Sequence, residues 1–199
     1  MNSGNSSTQS KKYRQLIEAA RDLFMRYGIK KVTVEEICTT AGVSKMTFYK
    51  HFKNKIEVAL FILNQTFEEG VRRYKKIMNE DVPYAEKARQ LIRLKLESTE
   101  DVSREMTKDI LDSPIPEVAE MMRKISEENF NLFLNDMISA QKKGEIRGDI
   151  NPYFIMSILG KLQEMALDEQ FSSMYTSTQA LSSEILNFFF YGIIPREKE

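Results

Sequence analysis

Apolar residues recur at helical spacing along almost the whole chain. In residues 11–27, Leu16, Ala19, Ala20, Leu23, Phe24 and Tyr27 fall at i, i+3, i+4, i+7, i+8 and i+11. That is one face of a helix, and Gly28 ends it. Ile37 and Ala41 mark the buried edge of a short helix, and Phe48 and Phe52 that of another. Ala59, Leu60, Leu63, Phe67, Val71, Tyr74 and Met78 form a stripe that predicts a long helix over 55–79, roughly 37 Å at about 1.5 Å per residue. Further helices are expected over 83–101, 103–112, 117–143, 152–170 and 177–192, with a break at Ser113-Pro114-Ile115-Pro116. In 117–143 the inward positions are Met122, Ile125, Phe130, Phe133, Leu134, Met137 and Ile138. No segment alternates as a strand would. The pattern predicts an all-α chain of about nine helices, a three-helix head on a larger helical body. The expected division is 1–10 a disordered polar leader, 11–55 the head and 56–199 the body.

Capping chemistry sharpens the head. Thr33 followed by Glu36 is a capping box, and Gly42 suits the left-handed turn that ends the first short helix. Val43 is apolar and can plug the angle between the helices. Ser44 caps the next helix, and Asn54 with Glu57 opens the long one. Residues turn about 100° each around a helix. Phe48 and Phe52 therefore face inward, and Met46, Thr47 and Lys50 face outward. Tyr49 and His51 lie on the flanks, and Lys45 sits in the first turn. Such an outer face, basic and rich in hydrogen-bonding groups, suits the major groove of DNA. Lys55, at the start of the long helix, is placed to meet a phosphate.

The spacing of Thr33, Ile37, Ala41, Gly42, Val43, Ser44, Tyr49, Phe52 and Lys55 closely resembles the N-terminal DNA-binding domain of the TetR family of bacterial transcriptional regulators. The resemblance covers roughly residues 11–60 and departs at Met46, where family members often carry a small residue. It implies a dimer that binds a palindromic operator, usually as a repressor, with a small-molecule effector in the C-terminal domain releasing the DNA. It implies DNA contacts at Thr33, Ser44, Lys45, Met46, Thr47, Tyr49, Lys50, His51 and Lys55. It also implies dimerisation through the last two helices, for which Ile155, Ile158, Leu162, Met165, Leu181, Ile185, Phe188 and Phe189 are the candidates. The helix over 55–79 would transmit the ligand's effect to the head.

Charge changes the picture by its distribution. The 199-residue chain has no net charge, yet residues 1–55 hold 11 Lys and Arg against 4 Asp and Glu, and the rest is acidic to the same degree. A basic head on an acidic body fits a DNA-binding part joined to one that does not bind DNA. The single cysteine, Cys38, excludes an internal disulfide, which fits a cytoplasmic protein, and no apolar run is long enough to cross a membrane. The N-terminus lacks the apolar segment of a signal peptide.

No nucleophile–base pair, paired-carboxylate site, glycine-rich phosphate loop or metal-ligand cluster stands out, so no enzyme, cofactor or metal is expected. The body holds many of the 11 methionines, whose flexible thioethers suit an adaptable apolar pocket. Met106, Ile110, Met122, Phe130, Phe133, Met137 and Met165 are the candidate pocket residues, for an effector of unspecified identity. The alternative reading is a helical protein-interaction module that kept the helix-turn-helix fold without binding an operator.

Overall fold

The computed structural model describes residues 3–99, 102–111 and 115–194. Among these lie ten helices: α1 (Ser3–Tyr27), α2 (Val34–Ala41), α3 (Lys45–Tyr49), α4 (Lys55–Met78), α5 (Tyr84–Thr99), α6 (Arg104–Leu111), α7 (Pro116–Lys142), α8 (Pro152–Leu167), α9 (Glu169–Ser172) and α10 (Thr178–Ile193). No strand occurs among them, as the apolar spacing predicts.

Three boundaries differ from expectation. Residues 3–10 continue α1 where a disordered leader was expected. No proline interrupts them, and a nucleated helix extends at low cost per residue. The helix expected over 152–170 is two helices, because Asp168 takes an extended conformation and its carboxylate accepts the Phe171 N–H at 2.7 Å. The break expected at 113–116 lies partly outside the described residues, and α7 starts at Pro116, which lacks only an N–H that a first turn leaves unpaired.

The chain divides into two compact units, Met1–Glu69 with Asp101–Ile125, and Gly70–Glu100 with Ser126–Glu199. The domain boundary expected at 55/56 therefore falls inside the first unit. Its core explains why. Leu16, Phe24, Ile37 and Phe48 share one buried cluster with Val58, Ile62 and Leu63 of α4, Met106 of α6 and Val118 of α7. The first three helices alone bury little apolar surface, and these further helices complete the core.

In the second unit α10 packs on α5 and on α8. Tyr84, Leu134, Met137, Ile155, Met156, Leu162, Phe189 and Phe190 belong to its core. The Tyr74 hydroxyl donates to Asp136 at 2.8 Å, and the Tyr84 hydroxyl donates to the Met137 sulfur at 3.6 Å. Burial pushes both phenols above their ordinary range, helped at Tyr74 by the Asp136 hydrogen bond and at Tyr84 by the Asp136 charge. Lys87 is buried and donates to the carbonyl of Met78, the last residue of α4, at 3.0 Å. A cation there complements the negative end of the helix.

Candidate nucleic-acid interface

The geometry of the head follows from its caps. Thr33 is extended, its hydroxyl accepts the Glu36 N–H at 3.2 Å, and its own N–H donates to the Glu36 carboxylate at 2.7 Å. The Thr33 hydroxyl, which donates to the same carboxylate at 2.8 Å, and the Thr33 N–H hold the Glu36 carboxyl below the ordinary carboxylate range. Gly42 ends α2 at φ +62°, a left-handed conformation that a glycine enters without strain. The Val43 N–H then closes onto the Cys38 carbonyl at 3.0 Å. Ser44 caps α3 by accepting the Thr47 N–H at 3.2 Å, and the Ser44 and Thr47 hydroxyls lie 3.0 Å apart. Asn54 accepts the Glu57 N–H at 2.9 Å. Glu57 reaches one residue further out than a standard box, to the Lys53 N–H at 2.5 Å.

These turns fix which way α3 faces. Phe48 is fully buried and Phe52 nearly so, with ring centroids 6.1 Å apart. Tyr13 of α1 stacks on Phe52 at 5.7 Å. On the opposite side Met46 is 70% exposed and Tyr49 58%, and Lys45 and Lys50 are exposed. Thr33 and Ser44 are exposed as well, and Thr47 is half-buried. The outward set expected from the sequence is thus gathered on α3 and the two capping turns. Lys45 also ion-pairs with Glu35 of α2 at 2.9 Å, and that hydrogen bond raises the Lys45 ammonium above the usual lysine range.

Two expected DNA contacts stand differently. The His51 ring packs edge-on against Tyr13 at 5.1 Å, and its Nε2 is buried without a hydrogen-bond partner. The ring fills the gap beside Tyr13. Lys55 donates to the carbonyls of Lys30 and Val32, both at 2.7 Å, so two of its three N–H groups hold the loop before α2. Burial against that loop lowers its ammonium from the usual lysine value.

The far edge of the same loop rests on α6. Asp109, buried, accepts the Lys30 N–H at 3.0 Å and lies 3.6 Å from the Lys30 ammonium. Gly28 has φ +80°, and a Cβ there would sit 2.7 Å from the Asp109 carboxylate. Sequence reasoning missed Asp109 and Glu35. Both partners lie beyond the reach of local rules, Glu35 ten residues from Lys45 and Asp109 on a distant helix.

The candidate pocket residues are not brought together within either unit. Met106 is buried in the core of the first unit, with Ile110 and Met122 packed against that core. Met137 is buried in the core of the second, with Phe133 packed against it. Phe130, expected inside α7, is 41% exposed, and Met165 is exposed too. The dimer candidates need a similar correction. Ile155, Leu162, Leu181 and Phe189 are buried within this protomer, and Ile158 and Ile185 are packed against its core. Of the eight, Met165 and Phe188 face outward. α10 is apolar on two faces, and periodicity does not say which one its own unit takes. Tyr153 and Phe154 of α8 and Tyr191 of α10 are exposed as well. Glu184, Asn187, Phe188, Tyr191 and Gly192 line a shallow groove along α10.

Among the described residues the chain is helical throughout, and its helix-turn-helix head turns the second helix outward, the arrangement that DNA-binding domains of this kind use. Residues 16–60 match the model of the bacterial regulatory proteins of the tetR family. The chain is 26% identical over 150 residues to the HTH-type transcriptional regulator UidR of Escherichia coli strain K12, covering 74% of this chain and 76% of that one. A putative transcriptional regulator from Saccharomonospora viridis in complex with choline superposes with a TM-score of 0.74 at 18% identity, covering 96% of this chain and 100% of that one. The regulator FadR from Bacillus subtilis in complex with stearoyl-CoA superposes with a TM-score of 0.69 at 19% identity, covering 91% and 99%. Residues 16–60 thus match the DNA-binding domain of the TetR family, and the chain as a whole resembles DNA-binding transcriptional regulators. No described helix is long and apolar enough to cross a membrane.

Proposed function

We propose that this regulator binds a palindromic operator as a homodimer, represses from it, and releases it when a small molecule binds the helices beyond the head. One observation carries the DNA-binding part of this reading. α3 buries its aromatic edge and leaves Lys45, Met46, Thr47 and Lys50 free of the core, where they can meet base edges. Thr33, Ser44, Tyr49 and the third N–H of Lys55 are the phosphate contacts in this reading. His51 is not among them.

Phe154, Phe188 and Tyr191 are the proposed dimer contacts, because they are large, apolar and exposed on α8 and α10. Two heads one DNA turn apart would stand about 34–36 Å from each other. The structures in complex with choline and with stearoyl-CoA support an effector for this chain as well. A ligand can release DNA only by preferring a conformation in which the heads are wrongly spaced.

Selection from a random duplex library, sequencing of the bound fraction and a salt titration on the winner test this reading. The expected result is an enriched palindrome whose affinity falls steeply with salt. A folded dimer that enriches no sequence at low salt would instead favour the interaction-module reading.

A further inference from the structure

We infer that Glu35 is a specificity-determining residue, holding Lys45 back from indiscriminate phosphate binding; this rests on the proposed use of α3 against DNA. Residues 33–55 contain two carboxylates, Glu35 and Glu36. Glu36 is consumed locally, since one of its oxygens takes both the N–H and the hydroxyl of Thr33, at 2.7 and 2.8 Å. Glu35 has no capping role. Its carboxylate crosses the turn between α2 and α3 and meets the Lys45 ammonium at 2.9 Å. The two side chains are 73% and 57% exposed. An ion pair so open to water adds little to stability, so the fold does not require it.

Against DNA the same pair has consequences. A duplex presents one negative charge per about 1.7 Å, and each lysine that neutralises a phosphate releases counterions at any sequence. Lys45 bound to Glu35 is already neutralised. To reach a phosphate it must leave Glu35 and expose a carboxylate to a polyanion. Lys45 keeps two further N–H donors while paired, enough for acceptors on a base edge such as guanine O6 and N7. Glu35 therefore penalises the phosphate contact, which every sequence offers, and spares the base contact, which few offer.

The experiment compares the full-length chain with Glu35→Gln, Lys45→Gln and the double variant. Circular dichroism confirms that each is folded. Affinities are measured by fluorescence anisotropy over a salt series, on a random-sequence 30-base-pair duplex and on the duplex selected by the wild type. Glu35→Gln is expected to tighten binding to the random duplex roughly three- to tenfold and to steepen its salt slope by about one. The selected duplex should gain less, so discrimination narrows. In the Lys45→Gln background more than half of the gain should vanish. Unchanged affinity in Glu35→Gln overturns the inference. Weaker binding overturns it too, because Glu35 would then be a direct reader of DNA. An equal gain with and without Lys45 also overturns it, leaving plain repulsion. Failure of the wild type to bind either duplex would reject the operator-binding reading itself.

Discussion

The two aromatic-rich helices of this chain, α3 and α10, leave opposite surfaces behind them. α3 and the turn after it send Phe48 and Phe52 inward and leave lysines, Thr47 and one methionine outside. α10 sends Phe189 and Phe190 inward yet keeps Phe188 70% or more exposed, with Tyr191 beside it. The first outer face is at ease in water and offers donors to a polar partner. The second is not, because contiguous exposed apolar groups are a standing cost until something covers them. Aromatic content alone thus says little about function. What matters is the chemistry of the face left over once the core has taken its share.

The largest test of that contrast removes one aromatic from each class. Phe48→Ala should cost about 3–5 kcal/mol, the usual loss for a fully buried phenylalanine. Urea denaturation, followed by circular dichroism, would measure it. Phe188→Ala, at a side chain 73% exposed, should change protomer stability little, within roughly 0.5 kcal/mol. A comparable loss at both positions would mean that the outer face of α10 is not spare.

Next in size is an effect on association. Phe188→Asp with Tyr191→Asp puts two charges on the groove that Glu184 and Asn187 also line. If that groove is the dimer face, burying unpaired carboxylates is expensive. Sedimentation should then show monomer where the wild type is a dimer, with helical content unchanged. Dimers that persist would move the interface elsewhere. The matching change on the other helix is Lys50→Ala, which should weaken binding to all duplexes and reduce the salt slope by about one if Lys50 meets phosphate. A loss confined to one sequence would make Lys50 a base reader.

The difference between the helices also explains what could be read in advance. Helix starts were legible wherever a cap announced them, at Thr33, Ser44 and Asn54, because capping is a contact between residues two or three apart. The facing of α3 was legible because Phe48, with Phe52 in the turn after it, is its strongest apolar group. α10 defeated the same reasoning, since Leu181, Ile185 and Phe189 make as good an outer stripe as an inner one until α5 and α8 are in place. The diversion of Lys55 to the carbonyls of Lys30 and Val32 was out of reach for a similar reason. A side chain's charge is in the sequence, but its acceptor is set by tertiary contact.

A smaller loss than that at Phe48 is expected at the cap that starts the polar face. Thr33→Ala removes the acceptor for the Glu36 N–H and should cost about 1 kcal/mol. The same cap predicts a direction with pH. Hydrogen bonds from the Thr33 side chain and backbone lower the Glu36 pKa below its ordinary 4.5. A carboxyl depressed in the folded state stabilises the fold above its unfolded value and loses that contribution as pH falls through the folded one. The contribution of Glu36 is therefore intact at neutral pH and fades below about pH 4.5. Denaturation midpoints taken from pH 7 down to pH 3 should fall less for Glu36→Gln than for the wild type. Parallel acid limbs would show that the cap holds a neutral carboxyl as well as a charged one, and the start of α2 would owe nothing to charge.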